Sequence, residues 1–412
     1  MIKNYFKIAM AVLGRRKFFT FISLFGISLT LTILIVFAAF MDKLTSAAYP
    51  DSKRERTLYI NIITQKNPKE SGMMRGPGSF YYMDHYVASM KSPEAVAISS
   101  MFTPTNTYVQ NKKLVINIKY TNDKWWEVLE YRFLEGKAYS PQQIKNGERV
   151  AVISEDIKNQ YFGGEGPVVG KYIETDNVQY RVIGVVKPVS ITNPYVYADM
   201  YLPYTLSKSD YREKSLNGMY SAIVLAKSKN DLDKIKAEYQ QVVAKVPPMN
   251  KDFTEISSHA DSYVESFTRI FSKDEHSSGI GFLIAILSSV VFFLMLLPTI
   301  NLVNINASRI MERSSEIGVR KAFGASSATL AIQFIVENII LTFIGGAIGV
   351  VLSYFILSAI NSSDLIPNTD LSINFKVFIY GLIACLVFGL LSGVLPAWRM
   401  SRMEVVAALK AR

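Results

Sequence analysis

The chain has 412 residues, 45 Lys and Arg against 34 Asp and Glu, and one cysteine; 50% of it is apolar and 19% is charged. That composition excludes a disordered chain, a disulfide framework and a cysteine-rich metal site, and it leaves room for two or three domains. The net charge of +11 fits a nucleic-acid surface, a membrane surface or a topology signal, and where the charge sits decides among them.

Residues 1–17 carry Lys3, Lys7, Arg15, Arg16 and Lys17 and no acid. An uncharged run follows over 18–40, long enough at about 1.5 Å per residue to cross a hydrocarbon layer of about 30 Å. A signal peptide has a shorter apolar core, and here Asp42 and Lys43 stand before the small residues Ser46-Ala47-Ala48, so a retained anchor is expected.

Residues 41–278 read as a folded α+β domain. Val-, Ile- and Tyr-rich runs at Thr57–Ile63, Leu114–Tyr120, Arg149–Ile153, Tyr180–Val186 and Tyr220–Ala226 predict strands. Helices are expected over Ser154–Tyr161 and Asp231–Val246, the second closed by Pro247 and Pro248. Gly72–Phe80 reads as a loop, and Phe253–Phe271 as a helical stalk. No catalytic constellation emerges. His85, His259 and His276 lack metal-ligand spacing. The stretch Gly164–Tyr172 has Glu165 and Tyr172 where a phosphate-binding loop needs Gly and Ser or Thr, so it reads as a Gly-rich turn before a strand.

Three further apolar runs, over 279–303, 330–360 and 375–396, predict three more spans. The loop 304–329 holds Arg309, Arg313, Arg320 and Lys321 against Glu312 and Glu316. The tail 397–412 holds four basic residues against Glu404, whereas the loop 361–374 has Asp364 and Asp370 and no Lys or Arg. Basic loops stay in the cytoplasm. The fold class expected is therefore a multi-pass membrane protein with four transmembrane helices, one plus three, and a large extracytoplasmic α+β domain inserted between the first and second. Both termini and the 304–329 loop are cytoplasmic. The first 17 residues, that loop and the tail carry +10 of the +11, which makes the charge a topology signal and removes nucleic acid as a partner.

Glu337 is the sole ionisable group at membrane depth, which argues against a proton or ion relay. Gly345, Gly349 and Ser353 form one small-residue ridge, and Gly381, Cys385, Gly389 and Gly393 another. Such ridges let helix backbones approach, either within one subunit or between two. In the 304–329 loop, Gly324 suits a left-handed helix end, and Ser326 or Ser327 can cap the next helix.

The run Glu316-Ile317-Gly318-Val319-Arg320-Lys321-Ala322-Phe323-Gly324-Ala325-Ser326 resembles the signature of MacB/FtsX-like ABC transporter permeases. The likeness continues through Gln333–Glu337, Gly345, Gly346 and Gly349, and through Leu395–Arg402 of the tail. In the outside domain, Phe133–Lys137, Ala151–Ser154, Val168–Lys171 and Tyr180–Val186 are similar to that family's periplasmic core domain. The tail departs from the family in having Glu404 and Val405 where Asp-Pro is usual, and Ser315 stands where a basic residue often precedes the signature.

The resemblance implies a permease subunit in the bacterial cytoplasmic (inner) membrane that is not itself an enzyme and binds no cofactor, with ATP and Mg on a separate cytoplasmic ABC ATPase. With 17 residues before the first span and 16 after the last, the ATPase is expected on another chain. A second permease subunit, membrane lipid and, for export, a periplasmic adaptor complete the implied partners. Glu316, Gly318, Arg320, Lys321 and Gly324 would lie at the ATPase-coupling contact, and Gly345, Gly349, Gly381, Gly389 and Gly393 would serve helix packing. Export or efflux by transmitted motion is the leading expectation. Lipoprotein release or control of cell-wall hydrolases keeps the same fold, and a membrane sensor without transport is the alternative of another class.

Overall fold

The computed structural model describes Gly14 and residues 17–67, 72–109, 112–248, 252–272, 274, 277–312, 318–320, 322–324, 326–363, 365–384, 386, 387 and 390. These fall into two compact units. One is Leu44–Leu283 with Ile366–Thr369, and the other holds the helices encoded on either side of that stretch.

The inserted domain is built from β1 (Thr57–Ile60), β2 (Ile63–Asn67), β3 (Gly72–Gly76), β4 (Ala95–Ser100), β5 (Thr103–Val109), β6 (Lys112–Thr121), β7 (Phe133–Gly136), β8 (Val150–Ser154), β9 (Tyr172–Thr175), β10 (Val178–Val186), β11 (Met200–Pro203), β12 (Tyr220–Leu225) and β13 (Glu255–Ser258). Ten of these form one mixed sheet in the order β1-β12-β4-β6-β11-β8-β10-β7, with β5 on β6 and β9 on β10. The order β13-β2-β3 makes a second, small sheet. β8 is buried along its whole length, as its unbroken Val-Ala-Val-Ile run requires of a central strand. It pairs in parallel with β10, and parallel neighbours need a crossover. The helix Glu155–Phe162 supplies it: Ser154 accepts from the Ile157 amide, Glu155 and Asp156 sit in the first turn, and Gly163 ends the helix at φ +82°. Gly164, Gly166 and Gly170 also have positive φ, in the turn that leads to β9.

Several expectations shift. The run read as one strand over 57–63 breaks at Asn61 and Ile62, so β1 joins the large sheet and β2 the small one. Gly72–Gly76, read as loop, is a strand, because its partner β2 lies antiparallel beside it, with Ile63 opposite Gly76. Phe253–Phe271 is no single helix. Glu255–Ser258 pairs with β2, and the helix covers Tyr263–Phe271, opened by a capping box of Ser262 and Glu265. The helix expected over 231–246 runs over Leu232–Val243 and buries Ile235, Tyr239 and Val243 at four-residue spacing.

In the other unit, α1 (Lys17–Thr45), α2 (Ile280–Glu312), α3 (Ser327–Ser362) and the shorter α4 (Phe375–Ala384) meet around Ile27, Leu31, Leu34 and Leu341, with Val291, Met295 and Ala384 against them. α1 and residues 328–362 of α3 are long and apolar enough to cross a membrane. Large apolar side chains lie exposed on the outer faces, among them Phe21, Phe25, Phe292, Phe293, Tyr354 and Phe355, the arrangement a lipid solvent favours. α2 does not stop where its apolar run does. It continues to Glu312, because residues 304–312 contain no Gly or Pro to end it.

Candidate functional site

Two stretches of chain join the inserted domain to the long helices: residues 44–56 after α1, and residues 259–279 before α2. Both are clamped at β1. The Tyr59 amide donates to Asp261 O (2.7 Å) and the Asp261 amide to Tyr59 O (3.0 Å). On the first stretch, Arg54 Nε donates to Asp51 Oδ2 (2.8 Å), the Tyr59 hydroxyl donates to the same oxygen (2.5 Å), and Arg54 Nη1 reaches Ser46 O (2.6 Å). On the second, Arg269 grips Asp261 with two bonds, Nε to Oδ2 (2.5 Å) and Nη2 to Oδ1 (2.8 Å). The two stretches also touch directly, the Arg54 guanidinium lying 3.6 Å from the Tyr263 ring centroid.

All four charged partners are buried, Asp51 at 1% and Asp261 at 3% exposure. Burial pushes the Asp51 carboxyl up, against the pull of the Arg54 charge and the Tyr59 hydroxyl. Ion pairs of this kind contribute little net stability over apolar isosteres, but removing one partner costs about 3–5 kcal/mol, so they specify geometry. The exit toward α2 is held as well. Arg75 of β3 donates to the carbonyls of Arg269 and Ser272, a cation on a helix C-terminus. Arg269 Nη1 donates to Ser277 O (3.3 Å). Gly279 at φ +75° lies so close that a Cβ there would meet Thr268 O at 2.9 Å.

Of the residues expected at the ATPase contact, Gly318 and Arg320 lie in a short helical segment, and Arg320 Nη1 donates to Gln333 Oε1 (3.3 Å). Gly324 takes φ +87°, the left-handed break that only Gly adopts without cost. Ser326 then caps α3 by accepting from the Thr329 amide (3.1 Å). Glu316 and Lys321 lie outside the described residues.

Of the expected packing residues, a Cβ on Gly345 would meet Ile27 Cγ2 at 2.6 Å, one on Gly349 the Ser28 carbonyl oxygen at 3.1 Å, and one on Gly381 Ile35 Cγ1 at 3.1 Å. All three face α1 of the same chain. Thr32 Oγ1 donates to Gly349 O (3.3 Å) and Ser353 Oγ to Thr32 O (3.4 Å). Gly389 and Gly393 lie outside the described residues. Glu337 is buried at 2% exposure. Among the described residues, no group of three or more His, Cys, Asp or Glu could hold a metal ion.

Sequence reading passed over Asp51, Arg54, Asp261 and Arg269. Each is a charge in a loop or on a short helix, where solvent is the ordinary destination; their ion pairs are local, and the packing of distant stretches, Arg54 on Tyr263 and Tyr59 beside Asp261, takes them out of water.

Two family patterns match the chain: the MacB-like periplasmic core domain over residues 20–242 and the FtsX-like permease C-terminal region over residues 280–405. The uncharacterized ABC transporter permease YknZ of Bacillus subtilis (strain 168) is 24% identical over 293 residues, 70% of this chain and 68% of its own length. The macrolide export ATP-binding/permease protein MacB of Escherichia coli (strain K12) is 24% identical over 406 residues, 97% of this chain and 59% of its own. The pyoverdine export ATP-binding/permease protein PvdT of Pseudomonas syringae pv. syringae (strain B728a) is 24% identical over 68% of this chain and 41% of its own length. The chain thus spans about two fifths to two thirds of the length of these relatives. The extracellular domain of the ABC-type transporter YknZ from Gram-positive bacteria aligns with 48% of this chain and 99% of that one at 15% identity and TM-score 0.37, a likeness too slight to carry weight.

Proposed function

The chain belongs to the family of MacB- and FtsX-like ABC transporter permeases, and on that premise we propose that it is the membrane subunit of an exporter in which a separate ATPase moves the inserted domain. The observation that carries this reading is the clamp on β1. Motion of α1 or α2 reaches the domain through short stretches that Tyr59 of β1 holds, by its hydroxyl on Asp51 and its backbone pair with Asp261, and that a buried ion pair stiffens within each, so a helix displacement becomes a displacement of the whole domain. A loosely tethered domain would absorb the same motion in its linkers.

In this reading four helices, over 18–40, 279–303, 330–360 and 375–396, cross the bacterial cytoplasmic membrane. The domain 41–278 and the loop 361–374 face outward, and both termini and the 304–329 loop lie in the cytoplasm. The basic loops support that orientation. Glu316, Gly318, Arg320, Lys321 and Gly324 receive the ATPase, between the end of α2 at Glu312 and the capped start of α3. ATP and Mg belong to that ATPase, and two permease subunits assemble around the exported molecule, with an adaptor beyond them. Export is favoured because the MacB and PvdT relatives are named for it.

The test is to purify the full chain in detergent with candidate ABC ATPases. A stable complex is expected, and Glu316→Ala with Arg320→Ala should lower its ATP turnover at least tenfold. Asp261→Asn should leave ATPase binding and turnover in place while export falls. If no ATPase binds, or if the loop changes alter neither binding nor turnover, the reading fails and a sensor without transport replaces it.

A further inference from the structure

Inside the inserted domain, between the large sheet, the small sheet and the helix Tyr263–Phe271, lies a cavity of about 460 Å³, within the size range of small-molecule sites. Ile62, Pro77, Met101, Phe102, Phe267 and Ile270 give it apolar walls, and the charged groups on its lining are Lys119 and Arg75, with no carboxylate.

Lys119 is the unusual member. β6 sends Ile116 and Ile118 into one core and Lys119 to the opposite face, where it is 2% exposed. Its Nζ donates to Ser100 O (3.0 Å) and Tyr195 O (2.9 Å), and no acidic side chain pairs with it among the described residues. Its Nζ also lies 5.7 Å from the Trp125 ring centroid, which leaves one of its three N–H groups without a hydrogen-bond acceptor among the described residues, and burying a cation with no carboxylate is costly. A second group on the wall is incomplete in the complementary sense. Asn61 is 8% exposed and donates to the Tyr195 hydroxyl (2.6 Å) and to Ser266 O (3.1 Å), yet its Oδ1 has no hydrogen-bond donor among the described residues. Both groups touch Tyr195, Lys119 at its carbonyl and Asn61 at its hydroxyl, and both line the cavity.

We propose that this cavity is a binding site for a small amphipathic acid: one carboxylate for Lys119, an apolar body for the Ile, Met and Phe walls, and an N–H or O–H that donates to Asn61 Oδ1. Arg75 adds a second cation on the same side of the balance. A neutral apolar guest would leave the ammonium and the amide oxygen as they are, and a cationic guest would meet two like charges. Asn61 and Ser266 tie this wall to the helix that leads into α2, so an occupied site borders the clamp.

The probe is N-octanoylglycine, with its methyl ester as the uncharged control, titrated calorimetrically into the full chain in lipid nanodiscs without ATP or ATPase. Saturable binding at one site per chain is expected, at least tenfold weaker for the ester. Lys119→Met should remove the preference for the acid, and Met101→Trp, which fills the mouth and leaves Lys119 in place, should abolish binding. Equal binding of acid and ester, binding undiminished in both variants, or no saturable binding up to millimolar acid would each overturn the proposal. Because no nucleotide or partner is present, such a failure leaves the transport reading untouched.

Discussion

Between the long helices, contact is made where side chains are missing: Gly345, Gly349 and Gly381 let α3 and α4 lie against α1, and hydroxyls bond backbone carbonyls across the gap. In the inserted domain, each stretch at the root is shaped by full charges taken out of water, Asp51 with Arg54 and Asp261 with Arg269, and the two stretches meet through the Tyr59–Asp261 pair and Arg54 on the Tyr263 ring. The difference follows from the surroundings. In a bilayer, apolar side chains gain nothing by leaving lipid for a neighbour, so close van der Waals approach has to do the holding. In a water-soluble domain, apolar burial already holds the fold, and ion pairs add direction that apolar contacts lack.

The sharpest way to break this comparison is to neutralise one charge of the root. Asp261→Asn should lose about 3–5 kcal/mol by stranding Arg269, read as a lowered melting temperature of the full chain. Replacing both residues by Leu should recover most of that stability without restoring export. If the single change costs nothing, the root is not a clamp.

Next in size is a pH effect at Lys119, whose ammonium burial pulls down to about 7. Unfolded, it titrates near 10.4, so between pH 7 and about 10 the unfolded chain binds the extra proton and stability rises with pH. The slope is at most about 1.4 kcal/mol per pH unit, measurable by denaturant unfolding at pH 7, 8 and 9. Lys119→Met should flatten it, and a slope that survives in the variant assigns the effect elsewhere.

On the helix side, Gly345→Ala places a Cβ 2.6 Å from Ile27 Cγ2 and should cost about 1–3 kcal/mol by overpacking. The double variant with Ile27→Ala should relieve the clash. Resistance to unfolding in a detergent titration reads this, and an unaffected single variant would mean that α1 and α3 are not in contact there. The smallest expected effect is at Ser326→Ala, which removes the cap of α3 and should cost about 0.5–2 kcal/mol, seen as fraying of the first turn by hydrogen exchange.

How much of this was legible depends on the range of the interaction. The long apolar helices are written in contiguous residues, and burial against lipid or neighbour asks only that the run be long, so 18–40 and 330–360 could be read directly. The capped turn at Gly324 and Ser326 is local chemistry and was legible for the same reason. Helix ends were not, since α2 outruns its apolar stretch into polar residues, Asn304, Asn306 and Ser308 among them, that give no local stop signal. Strand β3 was hidden because its Gly-Met-Met-Arg-Gly sequence has no strand pattern of its own and is held in place by β2.

By itself, then, the sequence determined the long apolar helices, the charge asymmetry on which the proposed orientation rests, and the family through its loop signature, because each is a property of neighbouring residues. Tertiary structure alone decided which charges leave water. Lys119 alternates with Ile116 and Ile118 as a solvent-facing residue would, and Asp51, Arg54, Asp261 and Arg269 look like ordinary surface charges. Their burial comes from segments more than 50 residues away packing over them, and no local pattern records what will cover a side chain.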